Sequence, residues 1–282
     1  MTGLPAAFTA APPGTLTTLL RRAHASRRLA EAVPVLQAAS RFLPAFHTAD
    51  DLPAPPRRVL VSEGDATPAL IFVPSFLVGS GPHQFARLAS AFEQRPRASA
   101  LVLPGFDRDA PVPVTWEAAL EALALAVRKT DAPYVLVGHS IGGVVAHALA
   151  QRLENNGSAA AGVVLIDTLD PNPALRGAML DWALGSVLDR DGEGMAVNDA
   201  NLLAMGAYLR ILEDWTPVEG RTPTLQIRAE LPHGRDEVWP AWDVADSVVS
   251  LPADHFSVLE EQAAMTAKLI ASWLPEVGAG VR

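Results

Sequence analysis

The chain has 282 residues, a net charge of −9 and no cysteine. Its length allows one α/β domain with additions, and the lack of cysteine excludes disulfides, cysteine-ligated zinc and a cysteine nucleophile. The acidic balance argues against nucleic-acid binding, because neutralising phosphates needs a basic surface. No apolar run approaches the ~18 residues of a membrane span, and the first residues lack the layout of a secretion signal. We therefore expect a cytoplasmic protein without a membrane segment.

The N-terminal region is typical of a linker followed by two helices. Residues 1–14 are rich in proline and alanine, as in a linker or a disordered end. Leu16, Leu19 and Leu20 share one face of a helix that starts at residue 15, and a second helix completes a pair over residues 15–48. This pair is too small for a core of its own, so its apolar stripe must lie on the main domain or on another copy of the chain.

Strand and helix patterns alternate over residues 57–275, after a proline-rich boundary. The segments typical of strands are 59–61, 69–73, 100–103, 134–137, 163–166, 224–227 and 248–251, separated by helical patterns near 83–92, 115–130 and 140–155. This alternation predicts an α/β fold with a mostly parallel sheet flanked by helices. It is interrupted at about 171–221, where two amphipathic helical patterns predict a helical lid insertion.

The most specific signal is the turn Gly138-His139-Ser140-Ile141-Gly142, between an apolar strand-like run and a run of small residues. A Gly-x-Ser-x-Gly turn between strand and helix is the nucleophile elbow of an α/β-hydrolase. Its glycines allow the sharp turn, and the serine is exposed at a helix N-terminus that favours negative charge. The sequence therefore predicts the α/β-hydrolase fold with Ser140 as nucleophile.

A serine nucleophile needs an acid and a histidine, which follow it along the chain in that order. Asp167 ends the next predicted strand, where open α/β sheets place functional groups, and Asp170 is the alternative acid. His255 lies in the loop after the last strand, and the other six histidines are interpreted as structural or solvated. No clustered His, Asp or Glu spacing suggests a metal site, and we expect no bound cofactor.

Two further groups of residues complete the predicted site. The oxyanion hole is expected from the backbone N–H groups of Ile141 and Phe76, since Phe76 lies in the loop after the strand that ends at Val73. The lid residues that could face substrate are Met179, Trp182, Met205, Tyr208 and Leu209. The alternative is that at least half of these five are ordinary packing residues.

From about Leu16 to Trp273 the chain resembles the thioesterase domains that terminate type I modular polyketide synthases. The segments that carry the likeness are 80–83 with 85–89, 103–106, 138–140, 164–167, 254–256 and 272–274. The resemblance implies a triad of Ser140, Asp167 and His255, and an acyl carrier protein partner that carries a polyketide acyl chain on its phosphopantetheine arm. It also implies a homodimer through the N-terminal helices.

Three positions depart from the family pattern. Ile141 stands where a small residue is usual, Ser75-Phe76 where Gly-Thr is common, and Leu169 where an aromatic residue often occurs. These changes spare the backbone donors and affect the size of the acyl pocket.

The chemistry so predicted is acylation of Ser140 followed by release of the chain to water or to a hydroxyl of the substrate. The sequence leaves hydrolysis and macrolactonisation open. Two enzymatic alternatives are a stand-alone editing (type II) thioesterase or general serine esterase, and the release domain of a nonribosomal peptide synthetase. A non-catalytic carrier-binding module is a third.

Overall fold

The structure, a computed structural model, describes residues 14–107, 110–128, 130, 132–171, 173–190, 197–213, 215–217, 220–232 and 242–278, with backbone alone for 173–176 and 275–278. Nearly all of the linker predicted at 1–14, His233 and most of the segment joining the two lid helices lie outside the described residues.

The described residues form eight α-helices and nine strands. The helices are α1 Thr15–Ala25, α2 Leu29–Ser40, α3 Ala86–Ser90, α4 Trp116–Val127, α5 Ile141–Asn155, α6 Pro173–Asp189, α7 Asp199–Leu212 and α8 Ala263–Gly278. The strands are β1 Ala45–Phe46, β2 Arg58–Glu63, β3 Ala66–Val73, β4 Pro96–Leu101, β5 Val112–Pro113, β6 Tyr134–His139, β7 Gly162–Ile166, β8 Thr224–Ala229 and β9 Ser247–Leu251. Two short 3-10 helices span Ala49–Asp51 and Pro82–Phe85.

Seven strands form one sheet in the order β2-β4-β3-β6-β7-β8-β9. All neighbours are parallel except β2 and β4, which are antiparallel. The predicted parallel sheet with flanking helices is thus confirmed. The strand predicted at 100–103 instead starts at Pro96 and ends at Leu101, because Ala98 and Ala100 continue the pairing with β3.

Both faces of the sheet are buried, as expected for parallel strands covered by helices. On β3, Ile71 and Val73 pack on the side of α4 and α5, whereas Leu70 and Phe72 pack on the side of α3 and α8. The alternation follows from the two-residue period of a strand. Because neither face is open, the functional groups must lie at the carboxyl ends of the strands.

The N-terminal helices pack on α6 and α7, the two helices of the predicted lid insertion. Leu20 and Leu36 belong to the same apolar cluster as Leu184 of α6 and Tyr208 of α7. Gly206 allows this packing, because a Cβ there would lie 2.5 Å from the Leu36 carbonyl oxygen. The apolar stripe of the pair therefore lies on the main domain, the first of the two possibilities left by the sequence.

Polar contacts fasten the same helices at their ends. Asp199, the first residue of α7, accepts hydrogen bonds from the backbone N–H of Leu16 (3.2 Å) and Thr17 (2.9 Å). His24 of α1 is hydrogen-bonded to Asp189 of α6 at 2.7 Å. Together α1, α2, α6 and α7 form a helical cover over part of the sheet rim, which is the edge formed by the carboxyl ends of β3, β6 and β7 with the residues that follow them.

Within the described ranges, no helix is both long enough and apolar enough to cross a membrane.

Candidate active site

Ser140 lies on a sharp turn between β6 and α5. Its φ of 56° is in the left-handed region, which is strained for a residue with a side chain. The serine N–H donates to the carbonyl of Ile166 at 2.9 Å, so the elbow is bonded to the end of the neighbouring strand β7. The candidate nucleophile is therefore held by the sheet itself.

The glycines of the elbow are required by close backbone approaches. A Cβ at Gly138 would overlap the carbonyl oxygen of Gly142. A Cβ at Gly142 would lie 2.5 Å from the carbonyl oxygen of Val73 and 2.9 Å from the nitrogen of Ser75. A Cβ at Gly143 would overlap the hydroxyl of Thr168. The elbow and the start of α5 thus pack closely between the loop after β3 and the loop after β7.

Asp167 and His255 form a buried hydrogen-bonded pair beside the elbow. Nδ1 of His255 lies 2.6 Å from Oδ2 of Asp167, and Oδ1 of Asp167 accepts from the N–H of Ala229 at 3.0 Å. Asp167 is 5% exposed and His255 is 4% exposed. Of the two predicted acids, Asp167 and not Asp170 is thus the one bonded to this ring nitrogen.

The pair fixes the tautomer of the imidazole. Burial alone would raise the pKa of Asp167, but the hydrogen bond and charge of His255 and the N–H of Ala229 outweigh it and bring that pKa below its ordinary value. Because a carboxylate can only accept, Nδ1 of His255 carries the hydrogen. Nε2 of the neutral ring is then left with a lone pair, which a general base requires.

His139, the residue before Ser140, contacts His255 directly. Its Nε2 lies 2.7 Å from the carbonyl oxygen of His255, and the two ring centroids are 4.6 Å apart. Burial, followed by the charge of His255, lowers the pKa of His139 to about 3. The sequence reasoning interpreted this histidine as structural, although its place inside the elbow was a signal that it lies next to the reacting groups.

The chain segments that carry the two predicted oxyanion donors are in contact. Ile141 begins α5 directly after Ser140, and Gly142 abuts the segment from Val73 to Ser75 that leads into Phe76. The Phe76 side chain is fully buried and stacks on Tyr208, with ring centroids 5.3 Å apart. This packing fixes the Phe76 backbone beside the elbow.

A cavity of about 320 Å³ opens on Ser140 and Ile141. Most of its walls come from α2, α6 and α7, and they are mainly apolar, with Gln37, Asp181 and Glu213 as polar exceptions. Three of the five predicted lid residues, Met179, Trp182 and Leu209, line this cavity. Trp182 also reaches the ring of His255, edge-on, at a centroid distance of 5.0 Å.

The prediction fails for Met205 and Tyr208, which are fully buried and are not part of the cavity walls. They lie three residues apart on one side of α7, where Tyr208 packs against Phe76 and Phe106. Leu209 and Leu212 lie on the side of α7 that faces the cavity. Met205 and Tyr208 are therefore core residues, so two of the five are packing residues, fewer than the half that the alternative required.

The end of α6 is tied to the loop that carries His255. The guanidinium of Arg190 lies 4.4 Å from the ring centroid of Phe256, and an amino group of Arg190 lies 2.6 Å from Glu260.

Across the part of the chain that the structure describes, no group of three or more histidine, cysteine or acidic residues could hold a metal ion. The candidate reacting groups of the site are the hydroxyl of Ser140, the imidazole of His255 and the carboxylate of Asp167.

Comparison with known proteins identifies the family. The model of the thioesterase domain matches residues 69–274. The chain is 34% identical to polyketide synthase GfsE of Streptomyces halstedii over 91% of this chain and 7% of that protein. It is 37% identical to erythronolide synthase EryA3 of Saccharopolyspora erythraea over 69% of this chain and 6% of that protein. The chain thus spans less than a tenth of the length of these two relatives.

Solved structures share the fold. A thioesterase domain of Vlm2, bound with a dodecadepsipeptide, matches with a TM-score of 0.60 and 20% identity over 77% of this chain and 96% of that one. YbtT, a type II thioesterase from the yersiniabactin pathway, matches with a TM-score of 0.56 and 21% identity over 78% and 98%. The fold is accordingly that of the α/β-hydrolases. With most of its length matched by the family model, this chain belongs to the thioesterase domain family and is a serine hydrolase of the thioesterase class.

Proposed function

We propose that this chain is a chain-terminating thioesterase that releases a polyketide acyl chain from an acyl carrier protein. The observation that carries the proposal is the His255–Asp167 pair, bonded at 2.6 Å beside an elbow serine that opens on a mostly apolar cavity. The similarity to polyketide synthases supports the substrate class. The substrate arrives on the phosphopantetheine arm of the carrier, and the protein itself contributes no cofactor.

In the first half of the reaction, Ser140 attacks the thioester carbonyl. Nε2 of His255 takes the hydroxyl proton, and Asp167 stabilises the imidazolium that forms. The oxyanion of the tetrahedral intermediate accepts hydrogen bonds from the N–H groups of Ile141 and Phe76, each worth ~3 kcal/mol in the transition state. The leaving thiol has a pKa of about 8.5, so it departs readily as thiolate. It then takes the proton from the His255 imidazolium, which makes the base neutral again for the second half.

In the second half, His255 removes a proton from the incoming nucleophile and returns it to the Ser140 hydroxyl as the acyl group leaves. The nucleophile is water or a hydroxyl of the bound chain. A chain folded with its hydroxyl at the ester carbonyl reaches an effective molarity of ~10⁵ M or more, far above that of water. The shape of the cavity between α2, α6 and α7 therefore decides between free acid and macrolactone.

The cavity walls fit a largely reduced acyl chain. Val33, Leu180 and Leu212 supply apolar surface, and Gln37 donates to Glu213 at 2.7 Å within the same wall. Ile141 and Leu169, two of the departures from the family pattern, also line the cavity. These side chains set which part of the chain can bend beside the nucleophile.

The partners and domain limits belong to the same proposal. We assign residues 15–48 to a helical pair that dimerises, 57–275 to the catalytic domain, and 171–221 to its lid, in a cytoplasmic synthase. Leu19, Val35 and Phe42 of the N-terminal region are 37%, 45% and 91% exposed. Exposed apolar side chains of this kind support a homodimer through the helical pair.

The test uses a long hydroxyacyl thioester of N-acetylcysteamine, a truncated analogue of the phosphopantetheine arm. Intact-mass analysis is expected to detect an acyl group on Ser140, and product analysis to detect free acid or macrolactone. The Ser140→Ala variant should lose both the adduct and turnover, whereas Ser90→Ala, an exposed serine on α3, should retain both. Turnover that persists in Ser140→Ala would refute the proposal, and faster turnover of acetyl or propionyl thioesters would favour an editing enzyme.

A further inference from the structure

We propose that His139 is a positioning residue, which holds the catalytic His255 against the nucleophile elbow through the His255 backbone. The inference rests on the proposed function, because it assigns a role relative to the base of that reaction. Its motivation is a hydrogen bond of 2.7 Å from the His139 ring to the carbonyl of His255, between two buried residues that are 116 positions apart.

The direction of this hydrogen bond follows from the chemistry of its partners. A carbonyl oxygen can only accept, so Nε2 of His139 carries the hydrogen and donates it. Desolvation, followed by the charge of His255, keeps the pKa of His139 far below neutrality, at about 3. The donor is therefore a neutral imidazole in one tautomer over the whole working range of pH.

His255 is fixed at two separate points as a result. Its ring nitrogen Nδ1 is bonded to Asp167, which sets the rotation of the imidazole. Its carbonyl is bonded to His139, which sets the position of the backbone from which the ring projects. Because His139 and Ser140 are consecutive, the second bond fixes the position of the base relative to the chain segment that carries the nucleophile.

The loop around His255 is internally rigid, and the bond from His139 is its contact with the elbow. Oδ1 of Asp254 accepts from the N–H of Phe256 at 2.9 Å and from the N–H of Ser257 at 3.0 Å. These bonds close a local turn without fixing it to the elbow. The bond from His139 makes that connection, and a displacement of ~1 Å of a catalytic group can lower a rate about a hundredfold.

A neutral donor also suits the charge that develops in the reaction. His255 becomes an imidazolium each time it takes a proton, and the two ring centroids are 4.6 Å apart. A cation at position 139 would repel that imidazolium, because like charges at this distance disfavour ionisation. A neutral imidazole retains the hydrogen bond and adds no repulsion.

The experiment compares two replacements of His139 in the full chain. His139→Phe keeps a ring of similar size and removes the donor, whereas His139→Gln places an amide N–H at a similar reach. We expect kcat with the N-acetylcysteamine thioester to fall about 10- to 100-fold in His139→Phe with KM within twofold, since His139 does not line the cavity. His139→Gln should recover much of that loss, and the rate of Ser140 phosphonylation by a fluorophosphonate should follow kcat.

His147→Phe is the matched control. His147 is also a buried histidine, but it lies inside α5, where its ring and that of Trp242 meet edge to face with centroids 4.7 Å apart. The kcat of the His147→Phe variant should remain within twofold of the kcat of the parent. If His139→Phe does not fold, as judged by its thermal transition, His139→Met replaces it as the variant without a donor.

The outcomes separate this inference from the proposed function. A folded variant without a donor that keeps kcat within twofold, or a glutamine variant no better than it, would overturn the positioning role. In either case the parent enzyme would still form acyl-Ser140. Failure of the parent to form that adduct would instead overturn the proposed function.

Discussion

The rim of the sheet and the helical cover are built in different ways. At the rim, β3, β6 and β7 are joined by backbone pairing, and the elbow glycines let main chains touch. Ser140 and Asp167 have positive φ values of 56° and 41° there, a strain that only a well-determined surrounding can maintain. The cover is joined to the rest of the molecule mostly by apolar side chains and by polar contacts at helix ends.

The difference indicates that the rim governs the rate of the reaction and that the cover governs which acyl chains bind. Reacting groups must be held within ~0.5 Å of the productive geometry, which rigid backbone contacts can achieve. A binding cavity for a flexible acyl chain tolerates larger displacements. We therefore expect changes at the rim to lower kcat, and changes in the cover to alter which acyl chains are accepted.

Asp167→Asn should have the largest effect and tests the rim. The amide lacks the negative charge that stabilises the His255 imidazolium and no longer fixes the tautomer, so kcat should fall by about 10⁴. Circular dichroism should show an unchanged fold. Asp170→Asn, which changes the alternative acid, should stay within a few-fold of the parent. A larger loss in Asp170→Asn than in Asp167→Asn would show that the acid has been assigned wrongly.

The rim was easier to predict from sequence than the cover, for a physical reason. Buried parallel strands are continuous apolar runs, and the residues that follow them lie at one edge, so the sequence could assign Ser140, Asp167 and His255 to that edge. The hydrogen bond between Asp167 and His255 agrees with this assignment. The alternation of strands and helices predicted the sheet in the same way.

The side chains that face the cavity could not be predicted for the cover in this way, because its helices are apolar on more than one side. On α7, periodicity does not distinguish Leu209, which faces the cavity, from Met205 and Tyr208, which face the core. The part that α2 plays in the cavity wall, and the contact of His139 with His255, depend on elements distant in sequence. The part played by α2 leaves no local pattern, and for His139 the local signal is limited to its place inside the elbow.

Val33→Phe tests the cover and should have the next largest effect. Val33 lies on α2 and lines the cavity, so a larger side chain there takes space from the acyl chain. For a long acyl thioester we expect kcat/KM to fall about tenfold, a typical cost of overfilling an apolar pocket. For a propionyl thioester kcat/KM should stay within twofold, since a short chain does not reach that wall.

Ala38→Phe is the control for this prediction. It introduces the same phenylalanine five residues further along α2, where the side chain is exposed and outside the cavity. Both thioesters should react as with the parent. Equal losses for long and short thioesters in Val33→Phe would mean that α2 acts on the rim, and the division between rim and cover would then be wrong.

Asp199→Ala should have the smallest effect, and it acts on stability. The carboxylate accepts from Leu16 and Thr17 at the start of α1, in the way of an N-cap supplied by another helix. Loss of a cap costs ~1 kcal/mol, so urea denaturation at pH 7 should show a free energy of unfolding lower by about that amount. Asp65→Ala, an exposed acid in the turn between β2 and β3, should leave it unchanged.

The pH dependence of this difference identifies its cause. Burial would raise the pKa of Asp199, but the N–H and hydroxyl of Thr17 and the N–H of Leu16 outweigh it and lower that pKa. A group whose folded pKa lies below its unfolded value contributes stability above the unfolded pKa, and the contribution is lost as the pH falls through the folded pKa. The parent and Asp199→Ala should therefore differ most near neutral pH and converge below about pH 4. A difference that stays constant down to pH 3 would mean that Asp199 stabilises α1 through packing instead of through its charge.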